Sequence, residues 1–448
     1  MIPIVTPSEM KRIDETSNVP LDVLIQRAGS AVAWEARKLL NGTYGKRVVV
    51  IAGKGNNGDD GRVAASYLRK WGVRTLEYSP KDVPNDFPTC DLVIDAAYGT
   101  GIRGEYIAPT TSTQVIAVDI PSGINGLTGE RLGSPMNATK TITFQALKPG
   151  HLIPPGSDFS GEIAVADIGL DMSSASTFQL EDSDISQLLP HRSTGAHKWE
   201  SACWVIGGSA GMEGALSLTA EAAQRAGAGY VRVSTPGTLA KGSIESVSHY
   251  LPEQDWDHCL ATDIRRFSSM VLGPGIAVTS SNSKAIQSTV SSSPIPLVID
   301  GGAIAAVGNN HQLLTTRKAD TILTPHDREF EDLVGFRPGP RRLDDALKAA
   351  KLTNSIVLLK GPLTVIASPE GRCLVVANGD QRLATAGTGD ILAGIIGAMV
   401  GQGVPSLNAA AIGAWIHAKA AQLLPERGMV ASDLINVIPE ALHATDMG

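Results

Sequence analysis

Short, uninterrupted apolar runs recur along the chain, and most end in glycines or in an acid. Residues 47–52, 91–96, 115–118 and 141–144 form one group; 203–206, 270–272, 296–299 and 321–323 form a second. Runs of this kind, without polar alternation, suit strands buried on both faces of a parallel sheet. Helical spacing fills the gaps: a capped helix over 7–15, a longer amphipathic one over 21–40, and a small-residue helix over 214–226. Residues 47–52, the glycine-rich stretch 53–61, a helix over 63–70 and a strand over 75–78 make a βαβ unit. Residues 356–366 read as a hairpin turning at Lys360. The pattern is α/β throughout.

At 448 residues the chain is too long for one core. Ser- and acid-rich residues 176–192 separate two expected domains, 1–175 and 193–448. A formal charge of −7 argues against a nucleic-acid or membrane-surface partner, which would call for a basic patch. Cys90, Cys203, Cys259 and Cys373 lie far apart with no Cys-x-x-Cys pair, which points to a reducing compartment with neither disulfide framework nor zinc site. The first residues lack a signal-peptide pattern, and the apolar stretch 391–400 is too short to span a bilayer. A cytoplasmic enzyme is the expectation.

Candidate chemistry sits where apolar runs end. Residues 53–58 match Gly-x-Gly-x-x-Gly, and Glu77 lies at the distance of a ribose-binding acid. The polarity of Asn56-Asn57-Gly58-Asp59-Asp60, however, suits a hard cation and hydroxyl groups better than a bare pyrophosphate. Asp95 ends one apolar run and Asp119, with Ser122 beyond it, ends another; Lys148 follows a third. If these ends are neighbours they share one crevice, and Asp119 with Lys148 is an acid/base arrangement. In the second half, Ala384-Thr385-Ala386-Gly387-Thr388-Gly389-Asp390 runs into an apolar helix. That junction is either an ordinary helix start or an anion hole, with Asp390 placed to take a proton from a hydroxyl near a bound phosphate. His326, beside Pro325 at a strand end, is a candidate ligand contact, and Lys360 a candidate phosphate partner. No P-loop motif occurs.

With these residues in view, positions 5–175 resemble the NAD(P)H-hydrate epimerase family, through Asn56 to Gly61, Asp95-Ala96 with Gly99-Thr100-Gly101, Asp119-Ile120-Pro121-Ser122-Gly123, and Thr143-Phe144 with Lys148. The resemblance implies a Rossmann-like three-layer αβα domain. It implies a potassium ion held by Asn57, Asp95 and Ser122, and an acid/base pair of Asp119 and Lys148 that interconverts the C6 epimers. The hydrated nicotinamide nucleotide would meet Asn56, Asn57, Gly58, Asp59, Asp60, Gly99, Thr100, Gly101, Ile102, Arg103, Gly104, Glu105 and Asp119. Asp59 stands where the family usually has a second glycine; a position needing φ > 0 or close ligand approach would be strained by it.

Residues 193–442 resemble a second αβα fold, the ribokinase-like one, and within it the nucleotide-dependent NAD(P)H-hydrate dehydratase family. The resemblance rests on His197-Lys198, Gly207-Gly208-Ser209, Gly273-Pro274-Gly275, Leu323-Thr324-Pro325-His326, Leu359-Lys360-Gly361 and Gly387-Thr388-Gly389-Asp390. It implies that Ala215, Gly275, His326 and Asp390 contact the hydrate, with Asp390 catalytic. Lys360, Gly361, Pro362, Leu363, Thr364, Gly387, Thr388 and Gly389 would hold the nucleotide, with ADP as phosphoryl donor and magnesium as its companion. A homo-oligomer is expected. Two rival expectations are a kinase of the same fold acting on a vitamin-precursor alcohol, and a first domain kept only as a binding scaffold.

Overall fold

The computed structural model describes residues 1–84 and 87–443. It divides into two compact units, Ile2–Thr177 and Phe178–Gly448 together with Met1.

In the first unit, six parallel strands run in the order Arg74–Tyr78, Arg47–Ala52, Leu92–Ala96, Val115–Val118, Lys140–Phe144, Glu162–Ala166. The first strand in sequence thus lies between the second and third. The chain leaves it in opposite directions along the sheet, so a crevice opens outside the strand ends at that point. The helices Leu21–Leu39 and Asn56–Lys70 pack together and bury Val32, Ala33, Ala64, Ala65 and Leu68 against one face.

The polar stretch after Ala52 is shorter as a loop than its glycines suggest. Helix begins at Asn56, capped by Gly55, so Asn56 to Gly61 form its first turns instead of preceding it. Two glycines permit this. A Cβ on Gly58 would sit 2.0 Å from the carbonyl oxygen of Gly53, and one on Gly61 would sit 2.5 Å from the Cβ of Ala96. The helix therefore presses its backbone onto the strand ends. Asp59 lies on the exposed side of this first turn and pairs with Arg62 at 2.7 Å. Its backbone is helical, so the position does not require a glycine.

In the second unit, seven strands run parallel: Val247–Ser248, Tyr230–Ser234, Ala202–Ile206, Ser269–Leu272, Leu297–Ile299, Thr321–Leu323 and Ile356–Leu359. Thr364–Ala367 and Cys373–Val376 extend the sheet antiparallel, which makes the hairpin that turns at Lys360. Residues 176–192, expected as a linker, hold the strand Thr177–Gln179 and the helix Asp182–Leu188, whose Ile185 is buried in the core of this unit. The central helix Thr388–Gly401 buries nearly every side chain it has and lies against Glu213–Arg225. A Cβ on Gly394 would come within 2.2 Å of the carbonyl oxygen of Thr219. Among the described residues, no helix is long and apolar enough to cross a membrane.

Because that contact is backbone on backbone, Gly394→Ala should destabilise the second unit by about 1–3 kcal/mol, the usual effect of overfilling a packed core. Urea denaturation followed by tryptophan fluorescence checks this; an unchanged midpoint would show that the two helices can separate freely.

Candidate active sites

In the first unit a cavity of about 490 Å³ lies at the strand-end crevice, lined in part by Asn56, Asn57, Asp60, Gly99, Asp119 and Lys148. Asp119 is the pivot. Its carboxylate Oδ1 lies 2.7 Å from Lys148 Nζ and accepts a bond from the Thr143 hydroxyl at 3.3 Å. The Lys148 ammonium donates also to Thr143 Oγ1 at 2.7 Å and to the Ala146 carbonyl at 3.3 Å. Burial pushes the Asp119 carboxyl up, but the charge and hydrogen bond of Lys148 outweigh it and hold the group below its ordinary value. Two more carboxyl groups share the cavity. Burial, reinforced by Asp119, Asp59 and Asp14, lifts Asp60 to about 8; burial also lifts Asp14, against the pull of Lys148. Asp60 is therefore largely a neutral acid near pH 7.

Beneath the cavity, Asp95 is fully buried. It accepts the Ser122 hydroxyl at 2.6 Å and the Ser122 N–H at 2.9 Å, and burial still raises its pKa. Both amide atoms of Asn57 are buried without a hydrogen-bond partner.

Of the residues expected to meet substrate here, Asn56, Asn57, Asp60, Gly99, Thr100, Gly101, Ile102 and Asp119 line the cavity. Gly58 does not; it is packed under the Gly53 loop. Asp59, Arg103, Gly104 and Glu105 lie outside the lining as well. Glu77 is taken by Arg69 on the surface and is not free for a ribose. Sequence reading missed Asp14 and His151, which come from distant or featureless stretches. His151 had one visible signal, its place three residues after Lys148.

In the second unit, the C-terminal ends of Ser269–Leu272, Leu297–Ile299, Thr321–Leu323 and Ile356–Leu359 bring a second lysine among acids. Lys360 Nζ lies 2.9 Å from Asp300 Oδ1 and 3.9 Å from Glu329 Oε2. Burial works against the ammonium, but Asp300 and Glu329 prevail and raise its pKa. Asp390, in the first turn of Thr388–Gly401, is pushed up to about 6 by burial and by Asp300, against Lys360. The N-cap Gly387 takes φ 91° and offers no side-chain cap; the Thr388 N–H turns back onto the Thr385 carbonyl at 3.3 Å, which leaves the Gly389 N–H at this helix start without a side-chain cap. A Cβ on Gly389 would lie 3.4 Å from Lys360 Nζ, which places the loop beside the lysine.

Ala215 and Gly275 adjoin: a Cβ on Gly275, at φ +62°, would meet that of Ala215 at 2.8 Å. His326 is exposed and caps the helix Asp327–Val334, its Nδ1 accepting the N–H groups of Arg328 and Glu329, each at 3.2 Å. Leu363 is buried, and Gly361 packs against the Arg342 guanidinium, so this hairpin turn offers main chain, Pro362 and Thr364 to a ligand. Asp300, which sequence reading left without a role, proves to be the nearest partner of Lys360.

The sequence model of a family described as NAD(P)H-hydrate dehydratase matches residues 203–441, more than half the chain. One described as YjeF-related protein N-terminus matches 21–83 and 69–150. The bifunctional NAD(P)H-hydrate repair enzyme of Moorella thermoacetica is 30% identical over 98% of this chain and 96% of its own. The chain belongs to the bifunctional NAD(P)H-hydrate repair enzyme family. Two solved structures share its second fold. A ribokinase-like superfamily protein from Enterococcus faecalis has 20% identity and TM-score 0.52, over 60% of this chain and 96% of that one. An ADP/ATP-dependent NAD(P)H-hydrate dehydratase from Bacillus subtilis, co-crystallised with ATP/Mg2+, has 24% identity and TM-score 0.50, over 59% and 97%. For this repair-enzyme family member, both lysine–carboxylate clusters thus lie in segments matched by the two family models, Asp14 alone falling outside them.

Asp390 gives a pH signature. Its folded pKa is raised above its ordinary value, so ionisation opposes folding, with a penalty that grows between about pH 4 and 6 and is complete above. Asp390→Asn should therefore raise the melting temperature of nucleotide-free protein at pH 8 and leave it unchanged at pH 3.5. Equal melting at both pH values would mean that the carboxylate is well solvated.

Proposed function

We propose that the first unit epimerises hydrated NADH or NADPH at C6, and that the second unit dehydrates the S epimer at the expense of ADP, restoring the reduced nicotinamide. The observation that carries this reading is the pairing of Asp119 with Lys148 in one half and the Asp390–Lys360–Asp300 cluster beside an uncapped helix start in the other. The two activities are assigned to residues 1–175 and 193–448.

In the first unit Asp119, kept ionised by Lys148, takes the C6 hydroxyl proton as the bond from C6 to the ring nitrogen opens to an aldehyde and the ammonium protonates that nitrogen; reclosure on the other face, with both protons returned, inverts C6. Asn56, Asn57, Asp60, Gly99, Thr100, Gly101 and Ile102 surround the ring and ribose. The buried Asp95 carboxylate, the Ser122 hydroxyl and the orphaned amide of Asn57 fit a monovalent cation, and we assign potassium to them. Such an ion would neutralise Asp95 and anchor substrate oxygens.

In the second unit Asp390 accepts the proton of the C6 hydroxyl as that oxygen attacks the β-phosphorus of ADP, with AMP leaving. Phosphate then departs from C6 as a proton is lost from C5, which re-forms the ring double bond. Lys360 and the N–H groups of Gly387 and Gly389 bind phosphoryl oxygens, with Thr388, whose own N–H is taken by the Thr385 carbonyl, completing the loop, while Lys360 through Thr364 hold the nucleotide. Ala215, Gly275 and His326 border the hydrate. Among the described residues no cluster of three or more His, Cys, Asp or Glu side chains is arranged to hold a metal. Magnesium would accordingly be carried mainly on the nucleotide phosphates, where it offsets their charge; the acids Asp300, Glu329 and Asp390 favour a cation there.

The test is a coupled assay with separated R and S hydrates and ADP, read at the reduced-nicotinamide absorbance. The S epimer should be restored at once and the R epimer only while Asp119 is intact; Asp390→Asn should lower dehydration by at least 10³-fold while nucleotide still binds. Accumulation of a phosphorylated alcohol with no return of absorbance would establish a kinase instead. Potassium should raise the melting temperature of the first unit in the wild type and not in Asn57→Leu; equal shifts would remove the assigned cation site.

A further inference from the structure

His151 touches neither the cavity nor any exposed surface, yet it joins the main chains that carry both members of the first unit's acid/base pair. The Lys148 N–H donates to its Nδ1 at 3.0 Å. A main-chain N–H can only donate, so Nδ1 accepts and the ring proton sits on Nε2. Nε2 in turn donates to the Asp119 carbonyl oxygen at 2.7 Å. The ring is 1% exposed, and burial, aided by Lys148, drives its pKa to about 4, so it stays neutral and keeps this tautomer.

What the ring holds is under strain. Asp119 has φ 67°, and the Ile120 N–H closes back on the Val118 carbonyl at 2.8 Å, a three-residue turn of the positive-φ γ type. The neighbouring strand ends in the same way, with Gln145 at φ 62° and the Ala146 N–H on the Phe144 carbonyl at 2.7 Å. Such turns persist only where their surroundings hold them. On the carbonyl side of Asp119, that hold is the imidazole.

We infer that His151 is a positioning residue for epimerisation: its neutral ring clamps the Asp119 peptide to the Lys148 peptide and so sets how the carboxylate and ammonium face the substrate. The inference rests on Asp119 and Lys148 being the acid/base pair. Misplacing a reacting group by about 1 Å can lower a rate about 10²-fold. His151→Leu keeps the bulk and removes both hydrogen bonds; His151→Gln keeps one acceptor and one donor.

The experiment measures conversion of the R hydrate by the full-length protein, above the uncatalysed background, with dehydration of the S hydrate by the same polypeptide as an internal standard. His151→Leu should lower kcat for epimerisation 30- to 100-fold with KM within about threefold, and leave dehydration of the S hydrate unchanged. Its acidic limb of kcat/KM should move to higher pH, because Asp119 loses alignment with Lys148 while still facing Asp14 and Asp60. His151→Gln should recover at least tenfold of the lost rate. A loss that only mirrors the fraction of folded first unit, with an unshifted pH profile and no rescue, would overturn the inference. So would a wild-type rate in His151→Leu when Asp119→Asn is inactive. An active Asp119→Asn would overturn the acid/base reading itself and the inference with it.

Discussion

In each unit one ammonium, buried at Lys148 and partly buried at Lys360, sits among carboxyl groups of differing proton affinity. Lys148 is 2% exposed and contacts Asp119, with Asp14 and Asp60 near; Lys360 contacts Asp300, with Glu329 and Asp390 near. A buried ion pair of this kind contributes little net stability against a hydrophobic replacement, whereas removing one partner destabilises by about 3–5 kcal/mol. Its value lies in setting which acid is ionised. Asp119, in contact with its lysine, is held down, whereas Asp60 and Asp390 are raised. Carboxyl groups of the same chemical type thereby acquire different proton affinities within one cluster, the condition for proton transfer near neutral pH.

Parallel sheets explain why the clusters form where they do. Every strand of the first sheet points the same way, so residues that end separate apolar runs arrive at one edge. Asp95, Asp119 and Lys148 are neighbours for that reason. The second sheet repeats the arrangement with Asp300 and Lys360 and adds a helix whose first turn carries Asp390. Family membership and topology agree on this point: the residues that define the two family resemblances are, with few exceptions, residues at strand ends or at the helix turns facing them.

Much of this was legible in the sequence, because apolar runs and the acids that close them are local signals. The pairing of Asp119 with Lys148, and Lys360 at a hairpin turn, follow from strand ends alone. The start of the helix at Asn56 was not legible: four glycines among polar residues read as a loop, and only contact with the carbonyl of Gly53 and the side chain of Ala96 shows why Gly58 and Gly61 are helical. Asp14 and His151 were hidden for another reason. Their roles depend on tertiary approach to Asp119, and neither stands at the end of an apolar run. Residues 176–192 look like a linker by composition but bury Ile185 in the second core, a packing decision that composition does not encode. Glu77 had the right spacing for a ribose contact and the wrong neighbour, Arg69.

The glycines of the Asn56–Lys70 helix carry a consequence for how this wall of the cavity can change. Gly58 and Gly61 have no room for a single added carbon, while Asp59 between them points outward into an ion pair. Volume is fixed on the inner side, and on the outer side Arg62 is held by the Gly53 carbonyl while the charge at position 59 is free to change. A chain drifting in sequence could therefore alter the charge felt by Asp60 repeatedly, through position 59, without reshaping the cavity that Asp60 lines. Divergence in preference among charged ligands would then come easily to this scaffold, and divergence in ligand shape would have to begin elsewhere in the lining, at side chains such as Leu24, Ile102 or Phe144.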